Sequence, residues 1–313
     1  MDIDVAAFLR SERLPATYRQ QVDGYWRELG DRILAWRRAA TAPIVIGVCG
    51  SQGSGKSTLA RLLALLIAAD GRFRAEVLSL DDIYLPRADR LRLAADVHPL
   101  LATRGVPGTH DVGLGIRTID ALTSGGAGPS VPLPAFDKAV DDQMPRSRWR
   151  RAAAPVDIVL FEGWCVGATA QPAEALSQPV NALERDEDTD GRWRCHVNDQ
   201  LAGPYRPLFD RLDHLVYLKA PAFAAVRRWR GTQEAKLRNA TAARAPASTG
   251  RHSGIMDDAG LDRFLLFYER ITRHLFATMP DHADITYLLD EDQRAAQRIA
   301  VAPCPPHSPD AAS

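Results

Sequence analysis

Eight consecutive residues do most to limit what this chain can fold into. Gly50-Ser51-Gln52-Gly53-Ser54-Gly55-Lys56-Ser57 fits G-x-x-x-x-G-K-[ST], a loop that cradles phosphates between a strand and a helix. The flanks agree with that context. Residues 44–49 are a short apolar run of strand character, and residues 59–66 are strong helix formers. Glycines let the loop turn its backbone N–H groups inward around an anion. The helix start adds unpaired donors and the positive end of a dipole. Lys56 is expected to reach the β- and γ-phosphates, and the Ser57 hydroxyl to ligate Mg²⁺. Residues Gly50, Ser51, Gln52, Gly53, Ser54, Gly55, Lys56, Ser57 and Thr58 therefore form the predicted nucleotide site. The motif predicts binding of a nucleoside triphosphate, taken as ATP, and is silent about the use made of it.

Four further runs read as strands: 75–80, 156–161, 214–218 and 284–289. Helical patterns separate them, which predicts an α/β fold with a P-loop-type parallel sheet flanked by helices. Residues 1–41 read as a helical segment packed on that core, because Tyr18, Val22, Trp26, Leu29, Ile33 and Trp36 recur at helical spacing. Residues 42–290 are expected to form the main domain. It carries a substrate-side insertion at 86–150, rich in Pro, Arg and Gly, and a helical lid at about 221–255. The acidic stretch 184–190 reads as a solvated loop, and 240–255 as a mobile one. Residues 291–313 read as a tail, disordered from Pro303 onward.

Composition excludes several classes. Lys+Arg and Asp+Glu both total 39, so bulk charge draws the chain to neither nucleic acid nor a membrane surface. The four cysteines are scattered without a C-x-x-C pair, which argues against zinc and against a disulfide framework. No apolar run reaches membrane-spanning length, and the acidic N-terminus lacks a signal-peptide core, so the expected location is cytoplasmic. Only four of the 39 basic residues are lysines, namely Lys56, Lys138, Lys219 and Lys236. A lysine kept against that bias suggests a place where a compact point charge is wanted, which draws attention to Lys138.

Ligands of open α/β sheets sit beyond the carboxyl ends of the strands. Three of those ends here carry the P-loop, Asp81-Asp82 and Glu162. Phosphoryl transfer needs a base beside the acceptor hydroxyl, a metal site and an electrostatic clamp. Asp81 is placed to accept the proton and to lie beside the metal, and Glu162 to hold Mg²⁺ together with Ser57. The competing reading of Asp81 and Asp82 is helix capping or turn formation. The segment 221–239 carries Arg227, Arg228, Arg230, Lys236 and Arg238. Arg227 and Arg230 are the candidates there for phosphate contact in a closing lid, against the alternative of a solvated basic face.

The order P-loop, Ser79-Leu80-Asp81-Asp82-Ile83-Tyr84, then Leu160-Phe161-Glu162-Gly163 resembles the uridine kinase and phosphoribulokinase group of P-loop kinases. Within that group the chain is most similar to the D-glycerate 3-kinases. Arg104-Gly105-Val106-Pro107-Gly108-Thr109-His110-Asp111, Leu133-Pro134-Ala135-Phe136-Asp137-Lys138 and Phe161-Glu162-Gly163-Trp164 carry this likeness, over residues 15–290. The resemblance implies transfer from ATP to D-glycerate with Mg²⁺, giving 3-phosphoglycerate, with Asp81 as general base. Arg104 would then clamp the acceptor carboxylate, while His110, Asp111 and Lys138 bind hydroxyls or screen charge. Two departures stand out: Ile83 where the pattern has Phe, and the acidic stretch 139–143 where it is Gly-rich and basic.

Other acceptors of the same group stay open: a nucleoside, pantothenate or a sugar phosphate. The insertion has only Phe136 and Trp149 as aromatics, which speaks against nucleoside stacking, while its many arginines suit a sugar phosphate. A nucleotide-driven switch is the reading from another class. A GTPase is disfavoured because none of Asn181, Asn198 and Asn239 begins an N-K-x-D motif. The expected partner is a small-molecule substrate, with oligomeric state left open.

Overall fold

The computed structural model describes residues 3–124, 128–242 and 258–300. Its centre is a six-stranded sheet built from β1 (Ile44–Gly50), β2 (Ala75–Ser79), β3 (Ile158–Gly163), β4 (His214–Lys219), β5 (Ile285–Leu289) and β6 (Ala295–Ala300). The strand order is β6-β5-β4-β1-β3-β2. The first five strands in sequence run parallel, and β6 returns antiparallel along β5. Every residue of β1 and β3 is buried, as expected for central parallel strands covered on both faces.

Alternation along β1 divides the core. Ile44, Ile46 and Val48 face one apolar cluster, and Val45 and Cys49 face the other. The first cluster is closed by α3 (Lys56–Asp70) and by the N-terminal segment, which includes α1 (Val5–Ser11) and α2 (Arg27–Ala39). Trp26 meets Tyr287 of β5 edge-on, with ring centroids 4.9 Å apart. The other face packs against α5 (Val112–Ser124) and the long C-terminal helix, and holds Trp164, Trp193 and Phe267. Burial pushes the Cys49 thiol up to about 12, so it stays protonated.

Apart from residues 125–127, which lie outside the described residues, the segment 86–150 is structured. It contains α4 (Arg87–Asp96), α5 and a hairpin in which Phe136–Asp137 pairs with Asp142–Gln143. The hairpin connection, residues 138–141, carries Lys138. The sheet also continues past residue 290, where the sequence suggested a tail, because β6 adds an edge strand. Residues 243–257, which take in most of the expected mobile loop and the end of the expected lid at 221–255, and residues 301–313, the expected disordered tail, lie outside the described residues.

The acidic stretch 184–190 is not a simple solvated loop. Residues Ala182–Glu187 form α6, in which Glu184 is fully buried. Its carboxylate takes the Arg270 guanidinium in two bonds, of 2.7 Å from Nε and 2.6 Å from Nη2. Asp188 is equally buried and accepts from the backbone N–H groups of Trp193 and Arg194 at the start of α7 (Arg192–Ala202). Burial is tolerated because both carboxylates are fully hydrogen-bonded. Glu184→Ala leaves the Arg270 charge buried and unpaired, so the expected loss is about 3–5 kcal/mol of stability. Urea denaturation of the variant checks it, and a loss under about 1 kcal/mol, the scale of an exposed pair, would show the pair to be energetically idle.

Candidate active site

Strand register assembles the P-loop end of the site. β3 lies between β1 and β2, so Glu162 sits opposite Val48 on one side and Ser79 on the other. One carboxylate oxygen, Oε1, accepts from Ser57 Oγ at 2.8 Å and from Ser79 Oγ at 2.9 Å. The other, Oε2, lies 4.0 Å from Lys56 Nζ and is buried without a hydrogen-bond partner. The side-chain oxygens of Ser51, Gln52 and Ser54 are likewise buried and unpartnered. Buried polar atoms in a native site normally find partners, so this group of orphans around a Gly-rich loop fits a polyanion and its cation. A hydroxyl and a carboxylate are hard oxygen donors of the kind Mg²⁺ takes.

The loop backbone needs glycine. Gly53 has φ +81°, and a Cβ there would lie 2.8 Å from the Cβ of Trp229. Trp229 belongs to α8 (Phe223–Ala242), so this helix packs directly on the loop. Its described arginines have protein partners. Arg227 pairs with Asp262 of α9 (Asp258–His282) at 2.5 Å, and Arg230 lies over the Phe264 ring at 5.7 Å. Arg228 pairs with Glu291. The side chains of Lys236 and Arg238 lie outside the described residues. Thr58 turns its hydroxyl toward Glu12, 3.5 Å away.

Asp81 lies in a short turn, Leu80–Ile83, directly after β2. Ser79 Oγ accepts from its backbone N–H at 3.3 Å and so caps the turn. The Asp81 carboxylate itself is used elsewhere. Tyr84 donates its hydroxyl to Oδ1 at 2.9 Å, and Lys138 pairs with Oδ2. Burial alone would raise its pKa. The positive charges of Lys138 and Lys56 and the bonds from Lys138 and Tyr84 outweigh that and hold the group below the usual carboxylate range. Asp82 behaves oppositely. Burial, with the charges of Asp81 and Glu162, lifts it to about 6 despite the bond from the Phe136 N–H.

The run 104–111 is stapled to this turn. Asp111 donates its N–H to the Ile83 carbonyl at 2.7 Å, and Leu85 donates to the Thr109 carbonyl at 2.9 Å. The His110 ring stacks on Tyr84, with centroids 4.4 Å apart. Its Nδ1 lies 2.5 Å from the Tyr205 hydroxyl, and its buried Nε2 has no partner. Burial pushes His110 down to about 3, so the imidazole is neutral at pH 7. Asp111 Oδ1 accepts from the Leu114 N–H at 2.8 Å, at the start of α5. Arg104 pairs with Asp141 and lies 5.5 Å over the Phe136 ring, which in turn meets Tyr84 edge-on at 5.3 Å. Gly105 has φ +142°, and a Cβ there would come within 2.1 Å of the Tyr268 hydroxyl.

The structure thus brings Lys56, Ser57, Glu162, Asp81 and Lys138 into one charge-linked group. Arg104 and His110 stand one ring away, behind Phe136 and against Tyr84. Arg227 and Thr58 make their side-chain contacts outside this group. Among the candidate site residues read from the sequence, Tyr84, Tyr205 and Tyr268 were absent, although their buried rings pack around His110 and Arg104. Tyr84 had a local signal, three residues after Asp81. The other two arrive from far along the chain, Tyr205 from a turn and Tyr268 from a helix, so nothing in the sequence placed them beside Asp81 or Arg104.

The depressed His110 pKa fixes a sign. Its folded pKa lies below the usual 6.5, so its contribution to stability is full above pH 6.5 and is lost as pH falls toward 3. The melting temperature is expected to fall between pH 6.5 and 4 more steeply in the wild type than in His110→Gln. The slope from this one group is at most about 1.4 kcal/mol per pH unit. Parallel melting curves for the two proteins would remove His110 from the acid response.

No family model matches the chain. It is 35% identical over 206 residues to the uncharacterized kinase mug58 of Schizosaccharomyces pombe, covering 63% of this chain and 72% of that one. It is 28% identical over 249 residues to the chloroplastic D-glycerate 3-kinase of Arabidopsis thaliana, covering 77% and 50% of the two chains. A pantothenate kinase of Rhizobium rhizogenes is 31% identical over 176 residues, 53% of this chain and 50% of that one. The chain therefore spans about half the length of these last two relatives. Among solved structures, D-glycerate 3-kinase from Cryptococcus neoformans var. grubii superposes with a TM-score of 0.70 at 23% identity, covering 92% of this chain and all of that one, which speaks for the fold. No described helix is long and apolar enough to cross a membrane. With a phosphate loop at the head of a parallel sheet and this degree of likeness to a fission-yeast kinase, the chain belongs to that family of P-loop kinases and is a phosphotransferase.

Proposed function

We propose that this kinase moves the γ-phosphoryl group of ATP to a hydroxyl of a small hydroxy acid, D-glycerate being the acceptor that fits best, with 3-phosphoglycerate and ADP as products. One observation carries the reading. The Asp81 carboxylate shares the charge field of Lys56 while being held from the acceptor side by Tyr84 and Lys138. A base and a phosphate cradle within reach of each other are what an alcohol-accepting kinase requires.

ATP docks with its phosphates in the loop 50–57 and with Lys56 against the β- and γ-oxygens. Ser57 and Glu162 are the residues that would hold Mg²⁺, whose charge offsets that building up on the phosphates. The acceptor lies between the Asp81 turn and the insertion. Asp81 aligns the hydroxyl with the γ-phosphorus and takes its proton as the new O–P bond forms and the bond to ADP breaks. Because Asp81 is ionised across the physiological range, the base needs no prior deprotonation. Neutral His110 can hydrogen-bond an acceptor hydroxyl through Nε2 without adding charge. Lys138 screens the acceptor anion from Asp81, and Arg104 is the residue for its carboxylate. Residues 42–290 with β6 act as the catalytic unit in this reading, and α8 is the root of a lid over the P-loop. A cytoplasmic setting belongs to the same reading.

Coupled ADP release measured over D-glycerate, pantothenate, nucleosides and sugar phosphates tests it. Glycerate-dependent turnover with the highest kcat/KM supports the assignment. Preference for pantothenate, in line with the pantothenate kinases among the relatives, would move the acceptor and keep the mechanism. Turnover indifferent to every acceptor would overturn the kinase reading of the site.

A further inference from the structure

Arg104 is already occupied. Its Nη1 holds Oδ1 of Asp141, and the other oxygen of the same carboxylate lies 3.0 Å from Nη2 of Arg90. Arg90 is fully buried and otherwise committed to the carbonyls of Leu85, Ala102 and Asp141, at 3.2, 2.7 and 2.7 Å. Both guanidinium groups lie over the Phe136 ring, at 5.5 and 5.9 Å. A carboxylate bridging two arginines on an aromatic platform is a formed anion subsite, and the chain fills it with its own side chain.

The backbone at that point is unusual. Asp141 has φ +59°, in the left-handed region that non-glycine residues seldom visit. It is the last residue of the 138–141 connection, whose first residue, Lys138, reaches Asp81. The same four-residue loop thus presents a cation to the base and an anion to the acceptor-side arginine.

We infer that Asp141 is a specificity-determining residue. By neutralising Arg104 it lowers the enzyme's preference for acceptors that carry a carboxylate, relative to uncharged acceptors of the same shape. This deepens the acceptor assignment made above and rests on it. An incoming carboxylate must displace a tethered one, whose effective concentration is in the millimolar range. A neutral acceptor needs no such exchange.

The test compares kcat/KM for matched pairs, D-glycerate against glycerol and pantothenate against pantothenyl alcohol, in wild type and in Asp141→Asn. Asn tolerates the left-handed conformation and keeps the side-chain shape. The carboxylate-to-neutral ratio is expected to rise about tenfold, chiefly through a lower KM for the charged member, and Arg104→Gln in the same background should cancel the gain. Asp141→Gly, also compatible with the backbone, repeats the measurement without a hydrogen-bonding side chain, and thermal melting confirms that each variant folds. A ratio that stays the same or falls in both folded variants overturns the inference, as does a gain that survives loss of Arg104. Failure of the acceptor assignment looks different: glycerate then gives no turnover in any variant, while the ratio is still read from the pantothenate pair.

Discussion

Asp81→Asn is expected to lower kcat by about 10²- to 10⁴-fold, the usual worth of a positioned general base, and to leave ATP affinity within about twofold. Asn preserves the shape and the acceptor oxygen for the Tyr84 hydroxyl. It removes the charge that pairs with Lys138 and the site that takes the acceptor proton. Acceptor KM moves modestly, because Lys138 loses its partner and becomes free to attract the substrate anion. The nucleotide loop keeps all its own contacts, since Asp81 makes no hydrogen bond to residues 50–57 among those described. Steady-state turnover together with calorimetric titration of a nonhydrolysable ATP analogue separates the two effects. Near-normal kcat would remove Asp81 from the chemistry and return it to the role of a turn residue.

Lys56→Ala is expected to damage both steps. Preorganised charge at a developing anion is commonly worth about 10²–10³ in rate, and the same ammonium group contributes to ground-state phosphate binding. Lys56 also lies 4.0 Å from Glu162 and lowers the pKa of Asp81. Its removal leaves Glu162 and Asp81 with less positive charge nearby, and the Asp81 pKa rises toward the ordinary range. The expected signature is a fall in kcat, weaker analogue binding and an acid limb of the pH–rate profile shifted to higher pH. A variant that lost turnover but bound the analogue normally would show that Lys56 acts only in the transition state.

The P-loop and the five parallel strands were legible because their physics is local. Glycine punctuation and continuous apolar runs mark buried parallel strands whatever surrounds them. β6 was missed for the converse reason. It is an edge strand, exposed from Ala296 to Ala300, and carries no apolar pattern to announce itself. The acidic stretch misled because charge reads alike in water and in a buried pair. Arg270, which makes Glu184 a core residue, stands 86 positions away. The site divided along the same line. Lys56, Ser57, Asp81 and Glu162 follow from strand ends. The acidic stretch holding Asp141 stood out in the sequence, but its contact with Arg104 spans 37 positions, and that of Tyr268 with the Arg104 carbonyl spans 164, so neither pairing was legible there.

The position of Glu162 between Val48 and Ser79 in the sheet separates the enzyme into halves of unequal tolerance. Strand pairing fixes the reach from its carboxylate to the Ser79 hydroxyl, and the P-loop's strand-to-helix turn brings Ser57 to the same oxygen, so the arrangement is as hard to alter as the ladder itself. Acceptor-side groups hang instead from a short hairpin and a stapled turn, where one substitution rewrites charge without disturbing the ladder. Divergence in what such an enzyme phosphorylates can therefore proceed at the hairpin while the machinery that handles the donor stays unchanged.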